Sequence, residues 1–296
     1  MDVSLRLLRA FLVVVEEGNM SRAARRLFVS QPALSQDIRR LERAVGTELF
    51  VRGSRGMTPT PAGRHFADGV RQAINILDRT AAQAARTALG LRPAVTIAYT
   101  PSVGNDLLPR ILPELERRCP DVEIDERQVD TGEARPAVES GRHDLALAHC
   151  PDPSTLLRAV HLADERLVVA IASTHELVRR GSPVALRALA GVDLLLWPRE
   201  VAPAYHDRIL SVCRSGGLPV TVRTGPRRAL TRSYVLAEEN AFALLPRGAA
   251  GLQVPGIAFL ELTDPEATIE LVLLAPRHGA RAEVEAVATV LGELAG

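Results

Sequence analysis

Leu7, Leu8, Phe11, Leu12 and Val15 recur at helical spacing over residues 4–17, which predicts an amphipathic first helix. Gly18 in "EEGNMS" breaks the pattern, and Asn19 or Ser21 can cap a short second helix in "SRAARRLF". "VS" makes a turn. Ser30 then caps a third helix, with Pro32 in its first turn where the missing N–H is no loss, and Gly46 ends it. At 100° per residue, Leu34, Ile38, Leu41 and Val45 fall within about 60° of one another and form a buried stripe. Two helices joined by a tight turn, the second one longer, make the helix-turn-helix outline. "TELFVRGSRGMTPT" places short extended runs around a Gly/Ser/Arg tip, which reads as a β-hairpin wing.

Thr60 can cap a long helix from about Pro61 to Leu89, a rod of roughly 40–45 Å. Phe66, Val70, Ala73, Leu77, Thr80 and Ala84 are spaced as an a/d seam. Such a helix either packs on its own domain or dimerises, and its place between two dissimilar modules favours the dimerising rod. "GLRP" (90–93) is a break. Beyond it, strand-like "VTIAY", "VEIDERQ", "DLALAH", "RLVVAIA", "DLLLW", "VTVRT", "AFALLP" and "TIELVLLA" alternate with helical stretches. These include "NDLLPRILPELERR", "ARPAVESG", segments around 204–215 and 228–238, and a last helix from Arg281 to Leu294. Alternation of this kind predicts parallel sheets with helices on their faces, and some 200 residues suit two lobes. The expected fold is therefore α/β with an all-α N-terminal part. The expected boundaries are 1–59 for the winged helix-turn-helix, 60–90 for the linker helix and 91–296 for a two-lobed domain. Within the latter, lobe I takes about 93–150 and 268–296, and lobe II about 160–265.

Charge sharpens the picture. The net charge is only +1, but residues 1–58 hold ten Arg against six Asp or Glu, and the rest is mildly acidic. A basic N-terminal module on an acidic body is the layout of a nucleic-acid reader with a separate regulatory part. The chain has no Lys, so every basic contact is made by Arg. No apolar run reaches about 18 residues, so no membrane span is expected. The apolar N-terminus lacks a cationic start and a cleavage site, so a cytoplasmic protein is expected. Cys119, Cys150 and Cys213 form no CxxC pair and fit reduced, buried thiols.

On the third helix, Gln36, Arg39 and Arg43 lie opposite the apolar stripe, with Gln31 and Ser35 on a flank. Such a face suits a DNA major groove: Gln pairs with adenine, Arg with guanine, and Ser reaches phosphates or base edges. It also suits a plain solvated surface; the preceding helix, turn and basic wing favour DNA. Asp37, which would repel phosphate, sits on the flank and is expected to pair with Arg40 or Arg22.

"AARRLFVSQPALSQDIRRLERAVGTELFVR" followed by "TPAG" resembles the N-terminal module of LysR-type transcriptional regulators, with many positions matched at fixed spacing. The resemblance extends more loosely to "VTIAYTPSVGNDLLPRILPELERRCPDVEIDERQ" and "VESGRHDLALA". It implies a winged helix-turn-helix, a dimerising linker helix and a two-lobed effector domain like periplasmic binding proteins. Its implied partners are double-stranded DNA at interrupted inverted repeats, a small-molecule effector, further copies of the chain as dimer or tetramer, and RNA polymerase. It implies no cofactor other than that co-inducer, and no metal. By resemblance Ser30, Gln31, Pro32, Ala33, Ser35, Gln36 and Arg39 serve the major groove, and Arg52 and Arg55 the backbone or minor groove. Gln36 departs from a position that is often Arg in the family.

The implied effector cleft takes Thr100, Pro101 and Ser102 after the first strand of the domain, and Thr131 after the second. Hydroxyls there suit a carboxylate, or simply cap helices. Arg199, after Trp197 and Pro198, either pairs with an anionic effector or is an exposed surface residue. "LAEENAFALLP" carries Glu239 and Asn240 where the family has a Gly-rich segment.

Three rival readings stand beside this one; the first, a binding protein of the periplasmic type, shares the expected fold but fits neither the expected lack of a signal peptide nor the basic first module. An enzyme could draw a triad from Ser102 and the His and Asp residues, but no GxSxG elbow, P-loop or HExxH occurs to anchor one. A cysteine-based redox sensor of the same family would use Cys150, near the expected lobe crossover.

Overall fold

A computed structural model describes residues 3–53, 56–224, 236 and 240–295. Arg55, the Arg52 side chain, Glu239 and the helix expected at 228–238 lie outside the described residues. The chain divides into an N-terminal unit reaching Ala85 and a C-terminal unit from Arg86 onward, with residues 140–142 counted in the first.

The N-terminal unit begins with α1 (Leu5–Glu17), α2 (Met20–Arg26) and α3 (Gln31–Val45). Side chains start each helix by accepting orphan backbone N–H groups. Ser4 accepts from Leu7, and Ser30 accepts from Ala33 at 3.3 Å. Asn19, rather than Ser21, caps α2, accepting from Ser21 and Arg22 at 3.0 Å each. Leu34, Ile38 and Leu41 of α3 are buried as the wheel requires, while Val45 is only partly covered. Phe11 is fully buried at the centre, with the Phe50 and Phe66 rings each 5.3 Å away. A two-stranded antiparallel wing, β1 (Phe50–Gly53) and β2 (Gly56–Pro59), follows. Its start is held by Glu42, whose carboxylate accepts from the Leu49 and Phe50 amides.

Thr60 caps α4 (Pro61–Ala88), accepting from the Gly63 amide at 2.9 Å. The predicted seam divides along this helix. Val70 is buried and Phe66 half-buried against the domain core. Ala73, Leu77, Thr80 and Ala84 are exposed, Leu77 by 52%.

The C-terminal unit is a nine-stranded sheet path with helices around it. In order of appearance its elements are β3 (Ala94–Tyr99), α5 (Pro101–Asn105), α6 (Leu107–Arg118), β4 (Glu123–Gln128), α7 (Ala134–Glu139), β5 (Leu145–His149) and β6 (Leu157–Ala172). Then come α8 (Glu176–Arg180), β7 (Asp193–Leu196), α9 (Pro203–Ser215), β8 (Val222–Thr224), β9 (Ala241–Pro246), β10 (Ile257–Glu261), β11 (Thr268–Pro276) and α10 (Ala282–Ala295). The strands lie in the order β4-β3-β5-β11-β6-β9-β7-β8, with β10 also on β6.

The parallel expectation holds for β3 with β4 and β5, and for β7 with β8 and β9. It fails at the centre: β11 runs antiparallel to β5 and β6, and β6 antiparallel to β9 and β10. β5 and β6 both oppose β11 and so run parallel to each other with β11 between them, while β10 and β11 follow one another along β6. β6 is twice the predicted length. Leu157–Arg166 pairs with β11 and Leu167–Ile171 with β9, so one strand belongs to both halves. Each half has its own core, one around Ile97, Leu115, Leu145 and Leu273, the other around Ile171, Leu194, Ile209 and Phe242. Asp144, which closes the Gly-x-x-Asp stretch, is buried. It accepts from the Thr96 amide and hydroxyl at 2.9 Å and faces Arg281 at 3.3 Å, tying β3 and α10 together.

Candidate functional site

The α3 face opposite the core stands open. Ser30, Gln31, Pro32, Ala33, Gln36, Arg39 and Arg43 are exposed, and Ser35 is half-buried. Gln31 accepts a hydrogen bond from the Ser21 hydroxyl at 3.2 Å, which turns its amide group relative to α2. Asp37 is paired with Arg6 of α1 at 3.3 Å, not with Arg40 or Arg22. Arg22 meets Glu17 instead at 3.4 Å. The wheel put Asp37 on the flank but could not say which helix lies beside that flank. Phe28, which sequence reasoning passed over, is 95% exposed in the turn before α3. Its backbone is left-handed at φ 56°, uncommon for a bulky residue. A large aromatic held out to solvent beside the recognition helix enlarges the surface that unit can offer.

The second site is a cavity of about 520 Å³ in the C-terminal unit. Thr100, Pro101, Ser102 and Thr131 all line it. Arg199 does not line it. Its guanidinium grips Asp207 of α9 in a two-pronged pair at 2.8 and 2.6 Å and is 60% exposed. That pair lowers the Asp207 carboxyl to about 2 through the Arg199 hydrogen bonds. The strand end at Trp197 turns the Trp ring, not the Arg, to the cavity wall.

Thr100 begins α5 but makes no side-chain cap bond. Its hydroxyl is buried with no protein partner, and so is the indole N–H of Trp197. An unsatisfied buried donor costs about 1–3 kcal/mol, so both groups favour an occupant that pairs with them. The Trp197 ring leans on Tyr205 of α9, with centroids 4.9 Å apart, and burial pushes the Tyr205 phenol well up. Ser102 does not act as a cap either. Its hydroxyl lies 3.4 Å from His149 Nδ1, and His149 Nε2 lies 2.9 Å from a Glu165 carboxylate oxygen. His149 is 5% exposed at the end of β5, and Glu165 comes from β6 at the changeover between halves. The sequence hid this triad because its members come from three elements; the only signal was a polar pair, Asp164-Glu165, inside an apolar strand.

Asp130, Glu133 and Asp152 also line the cavity. Arg135 does too, but its guanidinium already holds both Glu139 oxygens at 3.0 Å. Gly132 brings the two halves into contact: at φ 87°, its missing Cβ would lie 2.0 Å from the Val201 carbonyl oxygen.

The thiols lend the redox reading no support. All three cysteines are buried and unbridged. Burial, with Glu270 nearby, pushes the Cys150 thiol up to about 11, and burial does the same for Cys213. Almost no thiolate is present near neutrality, and the thiolate is the reactive form. Cys150→Ser is expected to leave the DNA-binding curve in peroxide unchanged from wild type; a peroxide response lost with that variant would restore the redox role.

Comparison with known proteins covers both parts of the chain. The family model described as LysR substrate binding domain matches residues 89–296. The model described as bacterial regulatory helix-turn-helix protein, lysR family, matches residues 5–64. The HTH-type transcriptional regulator IlvR of Caulobacter vibrioides is 31% identical over 265 residues, 89% of either chain. BenM of Acinetobacter baylyi, another HTH-type transcriptional regulator, is 27% identical over 266 residues, 90% of this chain and 87% of its own. The fold matches that of CbnR, a LysR family transcriptional regulator, with a TM-score of 0.77 at 21% identity, covering 99% of this chain and all of that one. With an open reading helix, a separate cleft and family models spanning nearly the whole chain, the protein belongs to the LysR family: it is a DNA-binding transcriptional regulator that answers to a small molecule.

Proposed function

We propose that this regulator reads an interrupted inverted repeat as a dimer, and that a small molecule in the cleft changes how it holds the DNA. The observation that carries this reading is the exposed Gln36/Arg39 face on a helix whose opposite face is locked in the core. Ser30, Gln31, Pro32, Ala33 and Ser35 sit at the N-terminal end of the same helix, where a groove-docked helix meets base edges. Arg52, Arg55 and the other wing residues serve the backbone or minor groove. Ile76, Leu77, Thr80 and Ala84 supply the apolar side of α4 for a second copy, and paired dimers give the tetramer. Thr100, Pro101, Ser102 and Thr131 contact the effector. Its binding sets the approach of the two halves, hence the spacing of the reading helices and the bend of the DNA. RNA polymerase is the partner that activation would involve.

We place the protein in the cytoplasm; among the described residues no helix is long and apolar enough to cross a membrane. We assign it no catalytic role.

Footprinting on the DNA beside the gene that encodes the chain tests the reading, at fixed moderate salt because phosphate contacts are salt-dependent. A protected dyad is expected. Gln36→Ala should weaken binding to it by about 1–3 kcal/mol while leaving non-specific binding nearly unchanged, as loss of a base contact does. Equal weakening on both DNAs would instead make Gln36 a backbone contact.

A further inference from the structure

The turn before the recognition helix holds a residue that local stability does not favour. The Phe28 N–H donates to the Arg25 carbonyl at 3.1 Å, and the Val29 N–H to the Ala24 carbonyl at 3.0 Å. These two bonds close α2 as a Schellman motif, whose left-handed position is usually Gly and sometimes Asn. Here that position is Phe28, at φ 56°. Left-handed backbone disfavours any Cβ, and a bulky residue there is an outlier. The neighbouring helices show the unstrained solution: α1 and α3 both end at a left-handed glycine, Gly18 and Gly46.

The side chain gains nothing within its own unit either. Phe11 and Phe50 are buried and Phe66 is half-buried, whereas the Phe28 ring stands almost wholly in solvent. Strain and an exposed apolar ring both count against the free protein, and such outliers cluster where a ligand is held.

The surroundings name the ligand. Phe28 opens an unbroken exposed run that continues through Val29, Ser30, Gln31, Pro32 and Ala33 into the first turn of α3. A protein seated on the ring would compete with DNA for that run. The Cα atoms of Phe28 and Ser30 lie within roughly 7 Å of each other, about two base-pair steps. Phosphates are charged and base edges are polar. The apolar group that a major groove presents is the thymine 5-methyl, and Phe is among the side chains that meet it.

Resting on the reading of α3 as the groove helix, we infer that Phe28 is a specificity residue whose ring covers the 5-methyl group of one thymine at the edge of each half-site. The strained turn holds the ring out in advance, so little ordering is left for the moment of binding. Phe28 thus adds an apolar contact to the polar ones made by Gln31, Gln36 and Arg39.

The test is a double-mutant cycle between ring and methyl. It uses fluorescence anisotropy on the full chain with the operator that footprinting defines, at fixed moderate salt. Each thymine of a half-site is replaced in turn by deoxyuridine, which removes only the methyl. With wild type, one such replacement should weaken binding about fourfold, the size expected for one buried apolar carbon. Phe28→Gly should weaken binding to the unmodified operator about tenfold, leave non-specific DNA nearly unaffected, and make that same replacement silent. The N-terminal unit of this variant should also melt several degrees higher, because glycine relieves the left-handed turn. Binding and stability moving in opposite directions separate a lost contact from a damaged fold. A methyl whose removal still costs affinity in Phe28→Gly is read by another residue; if every sensitive thymine behaves so, or none is sensitive, that overturns the inference. So does wild-type operator affinity in Phe28→Gly, which would assign the ring to a protein partner. Equal weakening on both DNAs also overturns it, by making Phe28 a backbone contact, and a variant less stable than wild type removes the strain on which it rests. Any of these failures beside a protected dyad leaves the α3 reading standing; a missing dyad removes both, for there is then no half-site to read.

Discussion

Phe11→Ala is expected to destabilise the N-terminal unit by about 3–5 kcal/mol and to abolish specific DNA binding. Phe11 is wholly buried, and it is the ring on which α1, β1 and α4 converge through Phe50 and Phe66. Truncation removes the transfer energy of the ring and leaves a void between three elements that cannot all collapse at once. A small domain holds only about 5–15 kcal/mol in total, so a loss of this size takes a large share of it. The recognition helix is not touched directly, yet its orientation depends on the core beneath Leu34, Ile38 and Leu41. The cores of the C-terminal unit share no residue with this cluster, so that unit should stay folded while DNA binding is lost. Urea unfolding followed by both readouts checks this. Phe11→Leu, which nearly conserves volume, should cost under about 1.5 kcal/mol and keep DNA binding. Retained operator affinity in the Ala variant would show that α3 is positioned from elsewhere.

Gly132→Ala is the second large effect, and it is functional rather than structural. At φ 87° the added Cβ lands 2.0 Å from the Val201 carbonyl oxygen, backbone against backbone across the cavity mouth. Neither carbonyl nor loop can swing a side chain aside, so the two halves must stand further apart. The expected result is at least a tenfold loss of effector affinity and no effector-dependent change in the footprint, with the unliganded footprint intact. Left-handed strain alone costs about 1–2 kcal/mol in any L-residue, so a control is needed. Gly191→Ala provides it, with φ 85° and nothing within 4 Å of the added atom. If both variants respond to effector alike, strain is the whole story and the Val201 contact is not required.

The helix-turn-helix was legible because helical burial depends on local spacing. Leu34, Ile38 and Leu41 declare their face within one helix, and Ser30 and Gly46 mark its ends. What the sequence could not give was pairing between distant segments. The alternating strands were found but their directions at the centre were not, since "RLVVAIA" announces only the apolar half of β6 and β10 passed unnoticed. The effector wall was half legible. Thr100, Pro101, Ser102 and Thr131 followed from the resemblance and lie together, whereas Arg199 was drawn away by Asp207, eight residues on along the chain. His149 and Glu165 stayed hidden because their contact is made by sheet register, which no single segment encodes.

The place of β11 also decides when the molecule can become itself during synthesis. Residues 268–276 are made after every other described strand of the sheet, yet they lie between β5 and β6, so the sheet cannot join until they arrive. The N-terminal helices and wing need nothing from beyond α4 for their core. At about 5–20 residues per second, the reader precedes the sensor by roughly ten to forty seconds on every ribosome. For that interval β5 and β6 present open edges with nothing to pair with, and the nascent chain is then most exposed to aggregation and most in need of a chaperone.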